Sequence, residues 1–86
     1  MRHHSDKRLK HVIRDLQYWR ISIIRSFEEV NKGRYSESHG RELREKVNRD
    51  RKLIQHIDPL IIEASVLLET DPPKLDKIPR VTIRRW

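Results

Sequence analysis

Between Leu9 and Val30 a stripe of apolar side chains runs through Leu9, Val12, Ile13, Leu16, Trp19, Ile23, Ile24, Phe27 and Val30. On a helical wheel they occupy a sector of about 140°, the width of a core-facing stripe. The pattern predicts one long amphipathic helix. Ser5-Asp6 supplies a capping hydroxyl and a first-turn acid for its start. Asn31-Lys32-Gly33 supplies its stop: a cation for the negative helix end and a glycine suited to the C′ position. A second stripe runs through Leu43, Val47, Leu53, Ile54 and Ile57, then Leu60, Ile61, Ala64 and Leu68. Ser36 and Ser38 are alternative caps for this helix, and Gly40 weakens its start slightly.

Pro59 interrupts the second stripe. A proline inside a helix removes a hydrogen bond and clashes with the preceding turn, yet it is welcome in a first turn. A break is therefore expected at Asp58-Pro59, with Asp58 capping a short third helix to about Thr70. The stripe keeps its phase across Pro59, so a kinked continuation stays open. Asp71-Pro72-Pro73 ends the helical region. The remainder, Lys74–Trp86, contains Pro79 and the run Val81-Thr82-Ile83, and reads as an extended arm, or as a strand if something pairs with it.

The connection Arg34-Tyr35-Ser36-Glu37-Ser38 is short, which favours antiparallel neighbours. Folding the chain back there places positions whose numbers sum to about 70 opposite one another. Phe27 then meets Leu43, Ile23 meets Val47, Leu16 meets Leu53 or Ile54, Ile13 meets Ile57, and Leu9 meets Leu60 or Ile61. Arg20 is the one cation within the first stripe and Asp50 the one acid within the second, so an Arg20–Asp50 interface pair is expected. The predicted fold is all-α. It is an antiparallel helical hairpin with a short third helix (residues 1–73) and an extended basic tail (residues 74–86). So thin a core invites self-association, as a homodimer of the four-helix-bundle type.

Charge refines this picture. The 86 residues carry 20 Lys/Arg and 13 Asp/Glu, a formal +7, which points to acidic partners: nucleic acid first, an anionic membrane second. The charge is uneven. Residues 58–73 hold no Lys/Arg and four Asp/Glu, whereas 74–86 hold five against one. The acidic block is also the most apolar, so it is the expected packing segment. There is no cysteine, hence no disulfide framework and no thiolate chemistry. No apolar run approaches the ~20 residues that span a bilayer, and the N-terminus has no apolar signal segment. An intracellular, cytoplasmic protein is expected, with no membrane partner.

Catalysis is not expected. Two glycines form no phosphate loop, and the carboxylates alternate with cations at solvated helical spacing, as in Glu42–Lys46 and Glu45–Arg49. The histidines form no zinc pattern with a carboxylate; His3-His4 is at most a weak metal pair. No cofactor or metal is expected.

What remains is a pair of basic rows. On the first helix Lys7, His11, Arg14, Tyr18 and Arg25 lie opposite the apolar stripe. On the second, Arg41, Arg44, Asn48, Arg51, Lys52 and Gln55 do so. A single row of this kind is usually just a solvated face. Here there are two, Arg outnumbers Lys thirteen to seven, and the tail adds Arg80, Arg84, Arg85 and Trp86. Arg forks onto phosphate and stacks on bases better than Lys does. The expected function is sequence-independent binding of double-stranded nucleic acid. RNA is preferred because rigid helices suit a duplex better than splayed bases, and because amides can meet 2′-hydroxyls. Arg41, Arg44, Arg51 and Lys52 would hold phosphates, Asn48 and Gln55 would add neutral hydrogen bonds, and Lys7, Arg14 and Arg25 would form a flanking row. The alternative is a small inhibitor or adaptor that docks on an acidic protein surface through the tail 74–86.

In layout, residues 9–73 resemble the small double-stranded-RNA-binding RNA-silencing suppressors of nodaviruses. The resemblance lies in a long helix, a turn at Gly33-Arg34-Tyr35-Ser36, a longer basic helix and an apolar end at Leu67-Leu68-Glu69 followed by proline. Arg44 and Tyr35 match by position. It implies a dimeric helical hairpin that lays one face on an A-form duplex, and a viral origin. The chain departs from that family where its cations stop at Lys52 and where Pro59 interrupts.

Overall fold

The computed structural model describes residues 2–86, with side chains from Asp6 onward. Two helices of 31 residues each dominate: α1, Arg2–Lys32, and α2, Glu37–Leu67. Two-residue strands β1, Arg34–Tyr35, and β2, Arg84–Arg85, pair in parallel. At 1.5 Å per residue each helix is about 46 Å long, and the Cα envelope measures 57 × 18 × 14 Å.

α1 starts at Arg2, so the expected Ser5-Asp6 start lies inside it. Its far end closes with the Gly33 N–H donating to the Val30 carbonyl at 3.3 Å. No glycine has positive φ, so Gly33 does not act as a left-handed C′ residue. It is needed because the Tyr35 ring lies over it, where a Cβ would collide with the Tyr35 hydroxyl. That hydroxyl donates to the Val30 carbonyl at 3.2 Å and pins the turn. Ser36 is the N-cap of α2; its Oγ accepts from the His39 N–H at 3.3 Å.

The expected break at Asp58-Pro59 is absent, and with it the third helix: α2 runs through Pro59 to Leu67. The cost of an internal proline is about 3 kcal/mol. Ile54, Ile57, Ile61 and Ala64, on both sides of the exposed Pro59, are all buried. Each buried aliphatic side chain is worth about 1.5–3 kcal/mol, so keeping the stripe continuous outweighs one lost bond. The helix ends at Leu68, and Glu69 turns the chain with φ 56°. The Thr70 N–H then bonds back to the Ser65 carbonyl at 3.1 Å.

The core is the seam between the helices: Ile23, Ile24 and Phe27 from α1, Val47, Ile54, Ile57 and Ile61 from α2, with Ile13, Leu16 and Leu53 packed against it. These are the residues that an antiparallel hairpin brings together. Trp19, part of the predicted stripe, is 49% exposed and stands outside the core.

Arg20 is buried, and its partner is Asp58 rather than Asp50: Nε to Oδ1 is 2.8 Å. Asp50 instead receives Lys46 Nζ at 3.3 Å, which also displaces the expected Glu42–Lys46 pair. Side chains on a helix lean toward its N-terminus. In an antiparallel pair, Arg20 therefore leans away from the turn and Asp58 toward it. The two meet even though Asp58 lies two helical turns beyond Asp50.

The tail is no free arm. Leu75, Ile78 and Val81 pack against the core. Asn31 grips the chain twice: its Nδ2 donates to the Arg80 carbonyl at 2.8 Å, and its Oδ1 accepts from the Thr82 N–H at 2.7 Å. Arg51 Nη2 donates to the Pro79 carbonyl at 3.2 Å. Ile83 sits against Gly40, where an added Cβ would be 3.2 Å from its Cγ2. Residues 71–86 thus run back along the groove between the helices and end beside the turn, in the parallel pairing of Arg34 with Arg84 and Tyr35 with Arg85.

Candidate nucleic-acid interface

Each basic row lies opposite an apolar stripe, and the two stripes face each other. The rows therefore occupy opposite long edges of the hairpin and do not form one surface. On the α1 edge Lys7, His11, Arg14, Tyr18 and Arg25 are all exposed. Arg14 and Tyr18, with Gln17 and Ile21, line an open hollow of about 280 Å³. Side chains of His3 and His4 lie outside the described residues.

The tail touches both helices, beside Gln17 and Ile21 on α1 and along the basic row on α2. Arg41, Arg44, Asn48, Lys52 and Gln55 are exposed. Four ion pairs occur among the described residues: Arg20–Asp58, Lys32–Glu29, Lys46–Asp50 and Arg85–Glu37. None involves Arg41, Arg44 or Lys52, so these charges are free to meet an external anion.

Arg51 is the exception within the row. It is half-buried, its guanidinium carbon lies 5.3 Å from the centroid of the Phe27 ring, and it bonds the Pro79 carbonyl. It helps to clamp the tail over the core through a cation–π contact and a hydrogen bond. Arg51 is thus less exposed than the rest of its row.

Two adjoining clefts lie between α2 and the tail. The first, about 160 Å³, is lined by Glu37, Gly40, Arg41, Arg44, Ile83 and Arg85. The second, about 200 Å³, is lined by Arg44, Val47, Asn48, Arg51, Val81 and Ile83. Arg44 and Ile83 belong to both. Together they make a short groove with a basic and amide wall on α2 and an apolar edge from the tail, closed at the turn by Arg85. Arg34, paired with Arg84, adds two further cations at that end.

Helical periodicity points to the α2 wall alone. It gives no sign of Gly40, Val81, Ile83 or Arg85. The available signal is the tail itself: five Lys/Arg in thirteen residues, and apolar residues every third position at Leu75, Ile78 and Val81. A spacing of three is what an extended, proline-containing chain places on one side.

No group of three or more His, Cys, Asp or Glu side chains that could hold a metal occurs among the described residues. Among the described residues, no helix is long and apolar enough to cross a membrane. No family model, curated protein or solved structure matches this chain.

Proposed function

We propose that the protein binds double-stranded nucleic acid without reading sequence and without catalysis, through the α2 edge and its bordering tail, with RNA preferred. The observation that carries this reading is the row Arg41, Arg44, Asn48, Lys52 and Gln55, exposed along one edge with its cations free of carboxylates. From Arg41 to Gln55 the row extends about 21 Å at 1.5 Å per residue. A duplex offers one phosphate charge per ~1.7 Å of its axis, so several contacts form at once. A rigid straight row matches a regular backbone, and the two amides suit 2′-hydroxyls in the shallow minor groove of A-form RNA. The layout resemblance to the nodaviral suppressors extends the proposal: a chain that sequesters duplex RNA would act as a viral suppressor of RNA silencing.

The active species is proposed to be a homodimer. Val12 and Trp19 on α1 and Leu60 and Leu67 on α2 each lie one heptad apart, on the flank turned away from the tail, and are 45–63% exposed. Pairing two such flanks gives a four-helix bundle with tails and basic edges outward.

The test is a gel-shift comparison of duplex RNA, duplex DNA and single-stranded RNA at two salt concentrations. Affinity for duplex RNA should be highest. It should fall with salt by about 0.7–0.9 log units per log unit of salt for each phosphate neutralised. Arg41→Glu with Arg44→Glu should abolish binding with helicity intact, whereas Arg14→Glu with Arg25→Glu on the opposite edge should weaken it far less. Equal loss from both edges, or a flat salt response, would refute the assignment.

A further inference from the structure

We infer that the cleft between Arg41, Arg44 and Arg85 is a seat for a phosphate group, and that it is complete only while the C-terminal segment is docked. Anion binding and docking of residues 74–86 are then a single linked equilibrium. The inference rests on the reading that the α2 edge takes phosphates, and it goes further by assigning the cleft, its third cation and the tail's part in it.

Two of the three guanidinium groups project from neighbouring turns of α2. The third arrives from a different part of the chain. Arg85 lines the cleft only because β2 lies beside β1 and because Ile83, also in the lining, is seated on Gly40. Gly40 has no Cβ, and this lets the tail approach the helix closely enough to carry Arg85 to the opening. The only carboxylate in the lining is Glu37, 3.6 Å from an Arg85 nitrogen, with both side chains mostly exposed. So exposed a pair is worth little. It orients Arg85 toward the cleft without committing it, and a phosphate oxyanion competes for the guanidinium through forked hydrogen bonds. With the tail undocked, Arg41 and Arg44 remain on their helix, the third ligand leaves, and the apolar edge opens. Because a phosphate binds the docked form better, it must also stabilise that form.

The test uses the full chain and two probes, a short 5′-hydroxyl RNA duplex and inorganic pyrophosphate. They separate backbone phosphate from free polyphosphate. The variants are Gly40→Leu, Arg85→Gln and the two combined. Gly40→Leu leaves every charge in place and keeps a good helix former, but its side chain competes with Ile83 for the space over position 40. Each single variant is expected to lower affinity about tenfold and to make the salt slope shallower by about one phosphate contact. The combined variant should be no worse than either alone, since both remove the same ligand. A response with the duplex alone assigns the seat to nucleic-acid backbone, a response with pyrophosphate alone assigns it to free polyphosphate, and either supports the inference. Wild-type affinity and slope in Gly40→Leu, with both probes, would overturn it, and so would losses that multiply in the combined variant. If Gly40→Leu does not fold, Ile83→Ser takes its place with the same expectations. Should the wild-type chain bind neither probe, the underlying phosphate reading fails along with the inference; if it binds and the variants do not differ from it, the inference alone fails.

Discussion

The Arg20 guanidinium reaches across the helix seam to Asp58, with Nε 2.8 Å from Oδ1. Arg20 is nearly enclosed, its side chain 6% exposed against 27% for Asp58. The desolvated cation therefore depends on one partner thirty-eight residues away. Removing either member strands the other. Arg20→Met or Asp58→Leu alone should cost about 2–3 kcal/mol, below the 3–5 of a fully buried pair because Asp58 keeps some water. The combined variant should be more stable than either single one. Urea unfolding of the three variants checks this; additive losses would show that the two residues act independently.

Asn31 holds the tail with both ends of its amide, as donor to Arg80 and acceptor from Thr82. Asn31→Ala should remove both bonds, at about 1–2 kcal/mol. The loss should appear as faster hydrogen exchange at the Thr82 amide and faster tryptic cleavage after Arg80. Helix content by circular dichroism should be unchanged. Full protection at Thr82 in the variant would mean that the tail is held by Leu75, Ile78 and Val81 alone.

Pro59 lies exposed inside an unbroken helix, where it deprives the Gln55 carbonyl of a backbone donor. Pro59→Ala restores that donor and removes the ring clash. Stability should rise, by up to about 3 kcal/mol, and Tm by several degrees. A lower Tm would show that the chain depends on the local geometry the proline imposes.

Trp19 and Leu60 are each about half exposed on the flank away from the tail. A charge there should split the proposed dimer. Trp19→Glu and Leu60→Glu should sediment as monomers at concentrations where the parent chain is dimeric, with unchanged helix content. A parent that is monomeric throughout would remove the dimer from the proposal.

The hairpin was legible because two stripes of apolar residues with one helical period bury each other when folded at Gly33-Arg34-Tyr35. Ile23, Phe27, Val47, Ile54 and Ile57 needed only that pattern to be placed in the core. Three features were not legible, each for a separate reason. The partner of Arg20 depends on the lean of long side chains along the axis, which a wheel projected down that axis does not contain. The continuity of α2 through Pro59 depends on tertiary burial of Ile57, Ile61 and Ala64, which overrides a local penalty. The docking of the tail depends on Leu75, Ile78 and Val81, whose spacing of three fits neither a helix nor a strand. The basic row on α2 is exposed as its periodicity predicts, except at Arg51, which is half-buried against Phe27 and the Pro79 carbonyl. That the two rows lie on opposite edges follows from the same two stripes facing each other, so the duplex reading narrows to one edge per protomer.

The parallel pairing of β1 with β2 returns the last residues to the turn, so Arg85 and the start of α1 lie at opposite poles of a molecule 57 Å long. Any polypeptide, dye or affinity handle joined beyond Trp86 would emerge beside the arginine-lined opening and shade it. The same addition ahead of Arg2 would emerge at the distal pole. Labelling chemistry at the carboxyl end is therefore itself a perturbation of ligand access, and immobilisation by the amino end leaves the opening facing solution.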